Sequence, residues 1–111
     1  MDEDGLRTKL SGEVERVSWH PLLPHHERGH LWLLDAGLDL VQVGLKVALD
    51  ELSVVSGWIQ EGRIRRPVDS EVHAWTEEPL AQHFEFVIVQ PFVFAIERRG
   101  LREEAAERDE S

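Results

Sequence analysis

With 111 residues, no cysteine and 41% apolar residues including four tryptophans, the chain can bury a single core without disulfides or Cys-ligated zinc. That composition excludes a wholly disordered chain and thiol chemistry, and no run approaches the ~20 apolar residues of a membrane span. The net charge of −10 opposes the phosphate-driven affinity of a non-specific nucleic-acid binder, and the opening MDEDGLRTKL lacks the basic-then-apolar order of an export signal, so a soluble cytoplasmic protein is expected.

Residues 1–4 read as an acidic disordered N-terminus, residues 5–98 as one domain, and residues 99–111 as a charged, disordered tail. Leu6, Leu10, Val14 and Val17 recur at helical spacing, which predicts a helix over 5–17 despite Gly12, at about 1 kcal/mol relative to Ala. Pro21 and Pro24 in SWHPLLPHHERG cannot both lie inside a regular helix, because each removes a donor and crowds the preceding turn. A short or broken helix ending at Gly29 is therefore predicted. HLWLLD then has the length and apolar content of a buried strand.

The next helix starts at Asp39 as N-cap, with Gln42 at N3 closing a capping box and Leu38 and Val43 as a hydrophobic staple. Val41, Leu45, Ala48, Leu52, Val55 and Ile59 carry the period on to Gly62, placed as a C′ residue, while Asp50 offers a second N-cap. Residues 39–61 are thus one long helix or two in series. RIRRPV reads as a short strand or extended link, and Asp69 or Ser70 caps a helix through Trp75 to Glu78. FEFVIVQPFVFAIE is strongly β-prone, with Pro91 at a bulge, an edge or a turn because it cannot donate to a ladder. This order predicts an α+β or α/β domain: one small mixed sheet of about three to four strands, covered by helices.

LRTKL, Trp19, RGHLWLLD with Gly29 and Asp35, LDLVQVG, VSGWIQEGRI and VIVQPFVF together resemble domain-of-unknown-function family 2288, a family of short bacterial proteins, over roughly residues 6–97. The resemblance implies a single small α+β domain in a bacterial cytosol, and it implies no activity, cofactor or partner. Where the family pattern has aromatic or aliphatic residues ahead of Arg-Gly, this chain has His25, His26 and Glu27.

Those residues belong to HERGH, spelled like the H-E-x-x-H of zinc peptidases, in which His26 and His30 would bind metal and Glu27 act as base. A catalytic zinc needs both imidazoles on one continuous helix and a third ligand from elsewhere. Gly29 and the apolar run after His30 instead favour a helix end turning into a strand, so His25, His26 and His30 rank low as metal candidates, and His20 adds only to adventitious affinity. Asp35 and Asp39 flank a turn where paired carboxylates could divide acid and base roles, but Asp39 is explained by capping and Asp35 by accepting backbone N–H groups of the DAGLD turn. No catalytic residue and no cofactor is assigned.

Residues 50–75 are similar to the second helix and wing of excisionase-like DNA-binding modules, with Arg63, Arg65 and Arg66 as the wing contacts. Against that, ELSVVSGWIQ carries no Lys or Arg and follows Asp50. The four tryptophans fall on apolar stripes or at helix ends and read as core. The leading expectation is a non-enzymatic domain acting by association with itself, as a homodimer, or with a protein partner, because FEFVIVQPFVFAIE is hard to bury fully in a monomer. A nucleic-acid module ranks second and a metal-dependent hydrolase third.

Overall fold

The computed structural model describes residues 3–98. Along the chain run α1 (Glu3–Glu13), β1 (Glu15–Val17), a 3-10 turn (His20–Leu22), α2 (Leu23–Glu27), β2 (Leu31–Leu34), α3 (Leu40–Ala48), α4 (Leu52–Gln60), β3 (Ile64–Arg65), α5 (Asp69–Glu77), β4 (Phe84–Val89) and β5 (Phe92–Glu97). The strands form one mixed sheet in the order β1-β4-β5-β2-β3, in which β2 and β5 are parallel and the other neighbours antiparallel.

The domain is α+β, but its sheet has five strands, not the three to four expected from the sequence. FEFVIVQPFVFAIE is two strands: the chain reverses at Gln90 and Pro91, and Val89 stands opposite Phe92. Pro91 sits in that turn, where its missing N–H removes no ladder bond. The first helix stops at Glu13, and residues 15–17 become β1, pairing Glu15 with Phe86 and Val17 with Phe84. Pairing with a long apolar strand overrides the helical spacing of Val14 and Val17. At its other end α1 takes in Glu3 and Asp4 as its first turn, residues expected in a disordered terminus. The expected tail at 99–111 lies outside the described residues.

Alternation along the strands sends side chains to two layers. Leu34, Ile64, Val87, Phe94 and Ile96 meet Leu10 of α1, Leu40, Val43 and Leu45 of α3, and Val55 of α4. Leu31, Leu33, Phe84, Val93 and Ala95 meet Trp19, Leu22 and Trp75 on the other face. HLWLLD is continuously apolar because β2 is covered on both faces.

Three helices end in the same way, with the residue after the cap in the left-handed region and two reversed backbone bonds. Gly29 (φ 81°) donates to the His26 carbonyl and His30 to that of His25, both at 2.9 Å. Gly62 (φ 77°) donates to Ile59 at 3.0 Å and Arg63 to Trp58 at 2.9 Å. Asp50 (φ 63°) donates to Val47 at 3.0 Å and Glu51 to Lys46 at 2.9 Å. Residues 39–61 are therefore two helices, and Asp50 closes the first instead of capping the second. Asp50→Gly is expected to stabilise the domain by about 0.5–1 kcal/mol, since Asp pays a steric cost in this region that Gly does not. A higher urea midpoint at unchanged slope would show it.

Asp39 caps α3 as predicted, accepting from the Val41 N–H at 3.0 Å. Gln42 does not complete the box: its Oε1 accepts from Arg7 Nη1 at 3.1 Å and ties α3 to α1. At α5 the N-cap position falls on Val68, one residue before Asp69, and Glu71 reaches back to the Val68 N–H at 3.1 Å. Among the described residues no helix is long and apolar enough to cross a membrane.

Candidate functional site

HERGH does not lie on one helix. Helix α2 ends at Glu27, Gly29 turns the chain, and the His30 carbonyl accepts from the Val93 N–H at 2.9 Å as the backbone enters the sheet. His25 and His26 stay in the last turn of α2, and the His26 ring is half-buried, its centroid 6.3 Å from that of Trp19. The geometry that lets H-E-x-x-H present two imidazoles to one ion is absent here, and no three His, Asp or Glu side chains gather around a possible metal position among the described residues.

The three candidate wing arginines part company. Arg63 leans on Asp35, with Nε 3.7 Å from Oδ2, while the Asp35 N–H donates to the Arg63 carbonyl at 2.7 Å. Arg65 makes a two-pronged bond to Glu71 at 2.8 and 2.7 Å. That bond holds the Glu71 carboxyl below its ordinary range and pushes Arg65 up. Arg66 has no acid: its guanidinium lies over Trp32, 5.3 Å from the ring centroid, with Nε buried and unbonded. Two of the three cations proposed to meet phosphates are thus already neutralised by neighbouring carboxylates, so they offer little to a nucleic acid.

Asp35, Arg65 and Glu97, with Leu34, Ala36 and Gly62, line a crevice of about 250 Å³ at the carboxyl ends of the parallel strands β2 and β5. Sheets with parallel strands often place ligands at such an end. Its acids face arginines, so the arrangement is a charged brace between β2, β3 and α5. A second brace joins β1 to β5: Glu85 takes Arg98 at 2.8 Å and Arg16 at 3.4 Å, and the Arg98 bond, more than the Arg16 one, holds its carboxyl low.

The least expected surface is α4. Its segment LSVVSGWIQ has no charged residue, yet only Val55 is buried, and Leu52, Val54 and Ile59 are 57%, 38% and 40% exposed. The break at Asp50 interrupts the stripe that joined Leu45 to Leu52 in the sequence, so α4 meets α3 and β3 through its middle and leaves its ends outside. FEFVIVQPFVFAIE, expected to be hard to bury fully, is uncovered in part. β5 is interior, whereas β1 covers β4 only along Phe84–Phe86 and leaves Ile88 40% exposed. Beyond β1, a groove of about 540 Å³ runs between α1 and β4, with Leu6, Leu10, Phe86 and Ile88 among its walls.

Comparison with known proteins places this geometry among relatives. A family profile described as a protein of unknown function (DUF2288) matches residues 5–97. The NMR solution structure of PA1075 from Pseudomonas aeruginosa is similar, with 33% sequence identity, a TM-score of 0.69 and 85% of each chain covered. A comparison with curated proteins returns no match.

Proposed function

The chain belongs to the DUF2288 family of proteins of unknown function, and from that premise we propose that it is a non-enzymatic, cytoplasmic bacterial domain acting by protein association, in its simplest form as a homodimer. The observation that carries this reading is α4, uncharged from Leu52 to Gln60 and exposed at Leu52, Val54 and Ile59. Each of these side chains, about half exposed, forgoes roughly 1 kcal/mol that burial would return, and a helix face without charge favours an apolar partner. Gly57 and the exposed Ser53 and Ser56 keep its surface low, so a facing helix approaches closely.

Light scattering across the micromolar range tests the homodimer. The parent protein is expected to reach the dimer mass at high micromolar concentration, and Ile59→Glu, which puts a charge in the apolar patch, to remain monomeric. A parent protein that stays monomeric throughout would overturn self-association through α4.

A further inference from the structure

Arg66 stands apart as a half-buried cation; Lys9 and Arg28, which also make no side-chain bond among the described residues, are exposed to water. Arg7 bonds Gln42 and Glu3, Arg16 and Arg98 bond Glu85, Arg63 pairs with Asp35, and Arg65 is gripped by Glu71. The Arg66 side chain makes no hydrogen bond or ion pair among the described residues, although the residue is half-buried and its Nε is sealed from water. A guanidinium carries donors on three nitrogens and cannot shed its charge, so leaving it unpaired in such a place is costly.

Its position is nevertheless well defined. β2 and β3 pair Leu33 with Arg65 and Leu34 with Ile64, so one rung further the register sets Arg66 opposite Trp32. The indole supports the flat cation from one side at 5.3 Å, which orders the fork without using any of its donors. Arg66 Nη2 lies 3.6 Å from where a side chain on Gly29 would begin. Two backbone acceptors of the same turn, the carbonyls of His25 and His26, are already taken by the N–H groups of His30 and Gly29. His30 is two residues before Trp32 on the same strand path, so alternation brings its imidazole to the same face.

We infer that Arg66, stacked on Trp32 beside the Gly29 turn, is a binding site for an oxyanion, a carboxylate or a phosphate group carried by a ligand. The planar fork matches either group with two parallel bonds, and a bound anion supplies the acceptors that the protein does not. His30 offers a further donor from the same face. The site is separate from α4, and it stands whether or not the domain dimerises.

Proton–nitrogen NMR with inorganic phosphate and with acetate as probes tests it, at ionic strength matched with chloride. The Trp32 indole N–H and the Gly29 amide are expected to shift saturably in the low millimolar range. In Arg66→Gln, whose remaining spectrum reports an intact fold, affinity is expected to drop by at least about tenfold, as the loss of a charge-assisted bond pair requires. Arg66→Lys keeps the charge but loses the fork and is expected to fall between. Tighter binding of phosphate than of acetate assigns a phosphate ligand, and the reverse order a carboxylate. If neither probe moves these signals more than chloride does, or if Arg66→Gln binds as the parent does, the site does not exist.

Discussion

Replacing Trp19 by alanine is expected to cost about 3–5 kcal/mol and to leave the domain close to unfolding. Trp19 has no exposed surface, and its ring centroid lies 5.1 Å from that of Trp75 and 6.0 Å from that of Phe84. Its Nε1 donates to Thr76 Oγ1 at 3.1 Å, so the one polar atom of the side chain is satisfied inside the layer. The residue thus joins the 3-10 turn, α5 and the sheet at one point, and truncation removes apolar contact with all three while leaving a cavity that close-packed neighbours fill only partly. Trp19→Phe keeps most of the ring and is expected to lose about 1–2 kcal/mol, chiefly the hydrogen bond and residual volume. Urea unfolding of both variants gives the comparison, and a cost below that of Trp19→Phe for the alanine variant would mean that this face of the sheet is not packed as described.

Removing Glu71 has the next largest expected effect, about 1–2 kcal/mol for Glu71→Ala at neutral pH. The carboxylate does two jobs: it accepts from the Val68 N–H at the start of α5, and it grips Arg65 with both oxygens. The ion pair is discounted for solvent screening because the Arg65 side chain is 46% exposed. The effect depends on pH in a definite direction. The Arg65 bond lowers the folded pKa of Glu71 from its ordinary value of 4.5, so its contribution is present above that value and is lost as pH falls through the lowered one. The gap between parent and Glu71→Ala should therefore narrow from about pH 7 to about pH 3. Glu85, lowered in the same sense by Arg98, leaves an acid-dependent loss of stability in both proteins. A gap that is equal at the two pH values would sink the assignment.

Much of the fold was legible where local chemistry decides it. Asp39 caps α3 because a short acidic side chain before an apolar stripe has one obvious use, and HLWLLD is a strand because it is too short and too apolar for anything half-exposed. Gly29 and Gly62 end helices as glycine commonly does. The errors lie where a distant partner decides. Val14 and Val17 keep a helical spacing, and only the pairing of β1 with β4 makes a strand of Glu15–Val17. The sequence leaves the break at Asp50 as one of two readings, and Asp50 in a position usually filled by glycine hides its form, and with it the exposure of Leu52 and Ile59. The Arg66–Trp32 stack joins residues whose contact follows from the β2–β3 register, which no local pattern in RIRRPV announces.

The strand order has a consequence for how the protein is made. β5, the last element of the described chain to be synthesised, lies between β4 and β2, while β1 at one rim reaches the rest of the sheet only through the β4–β5 hairpin. A nascent chain that has emerged only as far as α5 holds two pieces of sheet with no seam between them: a lone β1, and the β2–β3 pair. Neither buries enough surface to persist, so the apolar segments of β2 and α3 wait in the open until the hairpin arrives and closes both sides in one step. During that wait the growing chain exposes those apolar segments, and a chain cut short of β5 would hold a sheet with no centre.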